Sequence, residues 1–208
     1  MAPPLLAFTV MMALAMARYP GGTWDQPRAR GHSLSENFLC DLMRPIALNG
    51  EPNVDGAAFA ELGLLAFCVA LAPFFLVLPA LFAERRRLGM AVAICGLLSS
   101  VGGVGIVLAP SHRVGSLFHG LVVLLAAVPG LTAAITGTVG AWSAGARAIR
   151  AAAASTLSVT ALSVAVFAVQ LLRGTETTPG LPLLEKAAIA SAMAWMLLTM
   201  FSVVRAKA

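Results

Sequence analysis

Charge is scarce in this sequence. Aspartate, glutamate, lysine and arginine together make up 11% of its 208 residues, whereas 59% are hydrophobic. Soluble domains carry about 25% charged residues, so a soluble protein of this composition would expose large apolar patches to water. The composition therefore excludes an ordinary soluble domain and favours a chain that lies in the lipid bilayer.

Chemically active residue types are also rare. The chain has three cysteines, three histidines and one tyrosine. Cys68 and Cys95 lie within apolar runs, so no disulfide framework is predicted. The glycines of Gly102–Gly105 lie inside an apolar run and not between a strand and a helix, which argues against a nucleotide-binding loop. The sequence shows no serine–histidine–aspartate pattern typical of a catalytic triad and no paired-carboxylate signature of a glycosidase.

Long apolar runs are abundant. Six of them predict an all-α, polytopic transmembrane bundle, with residues 1–208 forming a single integral-membrane domain. The predicted spans are about Pro4–Ala17, Ala57–Ala83, Leu88–Ala109, Val114–Ala141, Ala151–Leu172 and Ala187–Val204. We interpret the short first run as a retained helix and not as a signal peptide, because no basic segment follows Met1.

The basic residues predict an orientation. The net charge of +5 is not gathered into one stripe, so nucleic acid is not a predicted partner. Instead, basic residues cluster after the second, fourth and sixth spans: Arg85, Arg86, Arg87, Arg147, Arg150, Arg205 and Lys207. Short basic connections stay in the cytoplasm. The pattern therefore predicts a multi-pass protein of the cell membrane with both termini in the cytoplasm.

Residues 18–56 form a polar loop between the first two spans, and the predicted orientation places this loop outside the cell. Ser33 and Glu36 fit a capping box, which predicts a short helix over residues 34–43, ending before Pro45. A helix of this length is not stable alone in water. The loop is therefore predicted to form a lid, either on the membrane surface or over the outer end of the bundle.

The predicted loop helix has two distinct faces. Its apolar face carries Leu34, Phe38 and Leu42. Its polar face carries Asn37, Asp41 and Arg44. The separation of the faces at helical spacing predicts an amphipathic element.

Three segments of this loop carry a resemblance: Tyr19-Pro20-Gly21-Gly22, Asn37-Phe38-Leu39-Cys40-Asp41-Leu42 and Asn49-Gly50-Glu51-Pro52-Asn53. Together they resemble an uncharacterised bacterial membrane-protein family that is similar in layout to the DRAM/Sfk-type six-helix proteins. Where that layout has a Ser-Asp-x-Gly-like segment, this chain has Cys40-Asp41-Leu42-Met43, so the serine and glycine positions differ. The resemblance implies a six-helix fold in a bacterial inner membrane and no particular reaction. Its eukaryotic members imply a loose link to lipid handling and membrane trafficking.

Candidate lipid- or partner-binding residues lie on the loop or at the helix end that faces it: Tyr19, Trp24, Asp25, Asn37, Asp41, Arg44 and Glu61. Tyrosine and tryptophan rings gather at the membrane interface. Glu61 lies about one turn inside the second span, where an ionisable side chain is costly and often functional. The alternative is a structural role, because a carboxylate near a helix start is favoured by the helix dipole.

The three histidines, His32, His112 and His119, all fall on the predicted outer side. With Glu36, Asp41 or Glu61 they would offer imidazole and carboxylate ligands for zinc, which activates water in metal-dependent hydrolases. The spacing of His112 and His119 matches no metal signature. The alternative is that they are scattered interface residues, with a structural hydrogen bond for His119.

Three functions stay open at this point. The first is a non-enzymatic protein without a cofactor that binds membrane lipid, or another membrane protein, through the loop. The second is a zinc-dependent lipid hydrolase, and the third is a small transporter or channel. Span centres without lysine, arginine or aspartate weaken the third, because ion-coupled transporters usually need such residues.

Overall fold

The computed structural model describes residues 2–82, 85–144 and 147–205. In this part of the chain the regular secondary structure is helical, with two isolated β-bridges and no strand. The α-helices are α1 (Ala2–Arg18), α2 (Val54–Val77), α3 (Arg86–Leu108), α4 (Ser111–Val114), α5 (Ser116–Ala144), α6 (Arg147–Arg173) and α7 (Leu181–Arg205). Two 3-10 helices cover Leu39–Met43 and Leu78–Phe82. Ala83 and Lys207, which the sequence predictions included, lie outside the described residues.

Five of the described helices, α2, α3, α5, α6 and α7, are long and apolar enough to cross a membrane. A helix rises 1.5 Å per residue, so a hydrocarbon core about 30 Å thick needs about 20 residues. The helix α1 is apolar but has only 17 residues. The described residues are thus consistent with the predicted all-helical membrane bundle and offer five candidate spans, whereas the number of spans, with α1 as the sixth, stays a prediction.

The outer surface of the bundle is apolar. Leu6, Val69, Leu98, Leu125 and Phe201, on five different helices, are each more than half exposed. A water-soluble protein rarely gathers so many large apolar side chains on its surface. This surface suits contact with lipid tails.

Two glycines of α3 allow this helix to pack closely against its neighbours. A Cβ atom on Gly96 would lie 2.0 Å from Cγ of Phe75 in α2. A Cβ atom on Gly102 would lie 2.7 Å from Cα of Ala126 in α5. Small residues allow such close approach in membrane helices, so α3 is held tightly between α2 and α5.

The connections between helices divide between the two ends of the bundle. At one end, the connection 19–53 lies near the start of α7, because the Leu39 amide hydrogen-bonds Glu185. Arg113 of α4 approaches Glu61 of α2 at the same end, with 3.9 Å between Nη2 and Oε1. The basic starts of α3 and α6 belong to the other end. The polar connections thus lie at one end of the bundle, and the arginine clusters lie at the other end.

Candidate functional site

The connection 19–53, called the lid below, is a folded structure. The Gly22 amide donates to the Ala29 carbonyl over 2.8 Å, and the Gly31 amide donates to Pro20 over 3.0 Å. Gly22 has φ +88°, and a Cβ atom there would lie 2.3 Å from the Asn49 nitrogen. The Pro20-Gly21-Gly22 segment is therefore a point where two parts of the lid meet, and glycine is required there.

Two buried asparagines hold the lid backbone together. The Asn37 side chain donates to the Gly22 carbonyl over 2.8 Å and accepts from the Ser33 amide over 2.9 Å. The Asn53 amide group donates to the carbonyls of Leu42 and Arg44, over 3.0 and 2.9 Å. Buried backbone groups must be paired, so both side chains act within the lid. Asn37, a candidate binding residue, is engaged in this way.

The predicted helix over residues 34–43 is wrong in extent. Only Leu39–Met43 is helical, as a 3-10 turn, and Leu34 is exposed. The expected pairing of Ser33 and Glu36 is replaced, because the Ser33 amide bonds Asn37 and the capping carboxylate is that of Asp41. The predicted polar face is turned inward.

Asp41 organises the inner surface of the lid. Its carboxylate accepts from the Phe38 amide over 2.8 Å and from Trp24 Nε1 over 3.1 Å. Burial raises the pKa of Asp41 from its ordinary 3.8 to about 6, against the opposing effects of those two donors and of nearby Arg44. The Arg44 guanidinium lies 5.6 Å from the centre of the Trp24 ring. Three candidate residues, Trp24, Asp41 and Arg44, therefore form one cluster.

The lid is fastened to α7. The Leu39 amide donates to Glu185 Oε2 over 2.9 Å. Lys186 donates to the backbone carbonyls of Asn37 and Pro182. Glu185 is not among the predicted site residues, because the predicted last span begins at Ala187. The signal was Pro182, a residue favoured in the first helical turn, which places Glu185 inside the helix.

Beneath the lid lies a cavity of about 180 Å³, called the upper chamber below. The polar side chains in its wall are those of Trp24, Asp41, Ser111, Ser116, His119, Ser163, Gln170, Thr175, Glu176 and Glu185. Ser116 donates to both carboxylate oxygens of exposed Glu176, over 3.1 and 2.8 Å. This pair therefore belongs to the rim of the chamber.

A second cavity of about 300 Å³, called the lower chamber below, adjoins the first. The two cavities share the wall residues Cys40, His119, Val123, Ala127, Ser163, Val164 and Glu185. The lower chamber continues to Phe74, Phe75 and Trp195, and its wall is mainly apolar. The Trp195 ring packs edge-on against Phe74, with centroids 5.1 Å apart. The polar side chains are thus concentrated in the chamber below the lid, and the wall becomes more uniformly apolar in the middle of the bundle.

His119 stands where the chambers meet. Its Nδ1 lies 2.7 Å from the Ala109 carbonyl, which can only accept. Nδ1 therefore carries the proton, and in the neutral ring Nε2 is an acceptor. Nε2 is buried and has no protein partner. The structural hydrogen bond expected as an alternative role for His119 is present, and the ring keeps a free acceptor.

Gln170 presents a second free acceptor. Its Nε2 donates to the Glu176 carbonyl over 3.3 Å, whereas its Oε1 is buried without a protein partner. Gln170 and His119 are each only 6% exposed. Buried polar atoms are normally paired, so two unpaired acceptors in one cavity wall need an explanation.

The other candidate residues lie away from the chambers. Tyr19 is buried in the lid, where its hydroxyl donates to Gly22 and accepts from the Leu48 amide. Asp25 is exposed. Glu61 faces Arg113 at the lid end, with a partly exposed side chain. Tyr19 is therefore an internal residue of the lid, Asp25 lies on the lid surface, and Glu61 lies beside the lid.

The three histidines lie on three different elements, His32 in the lid, His112 on α4 and His119 on α5, and His112 and His119 are close enough for their charges to interact. His32 packs edge-on against Tyr19, with centroids 6.3 Å apart, and burial together with Lys186 lowers its pKa to about 4. His112 belongs to α4, and burial with the charge of Arg113 lowers its pKa. Among the described residues, no three histidine, cysteine or carboxylate side chains are placed to hold a metal ion together.

Comparison with family models, with curated proteins and with solved structures finds no match to this chain. The residues of the two chambers and of the lid therefore carry the functional argument on their own.

Proposed function

We propose that this chain is a lipid-binding protein of the cell membrane, and that the two chambers beneath the lid are its binding site. The observation that carries the proposal is the order of the two chambers. Both walls are mainly apolar, but most of the polar side chains gather in the chamber below the lid, which opens onto the more uniformly apolar chamber inside the bundle. An amphiphile has the same order of polar and apolar parts, so its head group matches the upper chamber and its tail the lower.

The topology belongs to the same proposal. We take α1 as a sixth span, since its 17 residues extend for about 25 Å and a thinner bilayer or flanking residues accommodate the difference. Both termini then lie in the cytoplasm with the arginine clusters, and the lid lies outside. This layout is similar to the six-helix DRAM/Sfk-type arrangement suggested by the lid segments.

The binding site is well placed to be closed by the lid. Leu39 and Cys40 of the lid line the lower chamber, and Trp24 and Asp41 line the upper one. The lid is held over the chambers by its bonds to Glu185 and Lys186. We infer that the loop is part of the site and contacts the head group of the bound molecule.

The test is a contact measurement inside the lower chamber. Trp195 is 1% exposed and lines that chamber, whereas Trp142 faces outward and is 58% exposed. In a Trp142→Phe protein in lipid nanodiscs, dodecanol with a bromine at the end of its tail should quench Trp195, because bromine quenches only near contact. Trp24, which lines the upper chamber at the head-group end, contributes a constant background. Quenching should saturate, as expected for a site.

A matched pair of variants makes this test specific. Ala127→Leu adds a side chain to the wall shared by both chambers, and saturable quenching should be lost. Ala165→Leu makes the same change on an exposed face of α6 and should leave quenching unchanged. Unsaturable quenching that Ala127→Leu does not alter would contradict lipid binding in the chambers.

A further inference from the structure

We infer that the site selects a single-chain amphiphile whose head donates hydrogen bonds and carries no phosphate, namely a long-chain alcohol or amine. This inference rests on the proposed function and names the class of ligand for the same site. It depends on three properties of the chambers: their free acceptors, their charge and their volume.

The upper chamber offers acceptors. His119 Nε2 and Gln170 Oε1 are buried and unpaired in its wall. Glu185 uses Oε2 for the Leu39 amide, and its carboxyl group has further hydrogen-bonding capacity on Oε1. A ligand that fills this space must bring hydrogen atoms on oxygen or nitrogen to these positions.

Cationic donors for an anionic head are lacking among the described wall residues, whose remaining donors are the neutral hydroxyls of Ser111, Ser163 and Thr175. The indole Nε1 of Trp24 already donates to Asp41, and the Ser116 hydroxyl donates to Glu176. The Gln170 amide group donates to a backbone carbonyl. A phosphate that lost its water here would find hydroxyl donors but no cation to balance its charge, at a high desolvation cost.

The charge of the upper chamber also disfavours an anionic head group. Asp41, Glu176 and Glu185 lie in the described wall, which contains no lysine or arginine. The nearest cations are directed elsewhere: Lys186 donates to the carbonyls of Asn37 and Pro182, and Arg44 lies over Trp24. Carboxylates repel an anionic head and attract an ammonium group.

The volume limits the tail. An apolar cavity of about 150 Å³ holds one benzene ring of six carbons. The lower chamber has about 300 Å³, which therefore accommodates about a dozen carbon atoms. This volume matches one alkyl chain of about a dozen carbons better than the paired tails of a common membrane phospholipid.

The experiment compares three dodecyl probes that carry a terminal bromine and differ only in the head: dodecanol, dodecylamine and dodecyl phosphate. Quenching of Trp195 is measured in Trp142→Phe nanodiscs at fixed lipid composition, above the constant emission of Trp24. The alcohol or the amine should bind at least about tenfold more tightly than the phosphate, because about 1.4 kcal/mol corresponds to tenfold. Preference for the amine alone identifies the ammonium charge as the determinant, and preference for the alcohol alone identifies the hydroxyl.

Two variants assign the preference to the acceptors. Gln170→Met and His119→Phe each remove one of them, and each should weaken the preferred probe about tenfold while phosphate binding stays unchanged. Ser155→Ala, an exposed position on α6, is the control. Phosphate binding as tight as that of the other probes, still blocked by Ala127→Leu, would overturn the head-group inference but leave lipid binding intact. Saturable quenching by none of the probes would overturn both.

Discussion

The contact between the lid and α7 gives the sharpest test of how the site is closed. In the wild-type protein the amide of buried Leu39 donates to Glu185 Oε2 over 2.9 Å. The variant Glu185→Leu replaces the carboxyl group with an apolar side chain of similar size, which removes the hydrogen-bond acceptor of the Leu39 amide. The Leu39 amide then has no partner when the lid is closed.

The expected size of the effect follows from that unpaired donor. A buried polar group left without its hydrogen bond costs about 1–3 kcal/mol. This cost applies only to the closed lid, because water pairs with the amide when the lid is open. The population of open lids should therefore rise by about 5-fold to 150-fold.

Hydrogen exchange read by mass spectrometry measures this population. Peptides that contain Leu39–Met43 should exchange faster in Glu185→Leu by that factor, whereas peptides from the middle of α3 should be unchanged. Glu185→Gln retains a carbonyl oxygen as acceptor and should accelerate exchange by less than about fivefold. Wild-type exchange in the Glu185→Leu lid would refute the role assigned to this contact.

Three further predictions concern the lid and the bundle. Asn53→Ala removes two hydrogen bonds to lid carbonyls and should lower the free energy of unfolding by about 2 kcal/mol in a thermal or denaturant titration; an unchanged midpoint would contradict this. Burial raises the Asp41 pKa to about 6, so the native state binds this proton more tightly than the unfolded state. Stability should therefore fall as pH rises from about 4 to about 6, and Asp41→Asn should flatten the pH dependence of the melting temperature; an equal slope in both proteins would contradict this. Gly96→Leu places atoms where the Phe75 ring lies and should cost at least about 2 kcal/mol, measured as a lower melting temperature; wild-type stability would contradict the close packing of α2 and α3.

The membrane helices could be predicted from the sequence because hydropathy alone determines them. The predicted span Ala187–Val204 lies inside α7, and Leu88–Ala109 differs by one or two residues at each end from α3. Apolar length is a local property, and the bilayer imposes it on every span. The short first run is ambiguous for the same reason, since 17 residues are close to the limit.

The lid could be located from its composition, but its internal structure could not be predicted. A spacing of three or four residues identifies two faces of a helix and does not say which face is buried. Asn37 and Asp41 were placed on a polar outer face, and the structure turns them inward, where they pair with lid backbone groups. Such pairing is set by contacts between distant segments, and a single sequence does not contain that information.

Glu185 and the free acceptors of the upper chamber show the same limit. Glu185 is a carboxylate near the start of a span, like Glu61, and the sequence gives no reason to prefer one over the other. Only the folded chain brings Glu185 to the lid and leaves Glu61 beside Arg113. The two glutamates are distinguished by their neighbours in the folded chain and not by their positions in the sequence.

The most direct test of the central claim is native mass spectrometry of the protein released from its own membrane. The account predicts a bound molecule with the mass of one single-chain amphiphile on the wild-type protein and on Ala165→Leu, and its loss in Ala127→Leu. A wild-type protein that carries no such molecule, or carries it equally in Ala127→Leu, would contradict the claim that the chambers bind lipid.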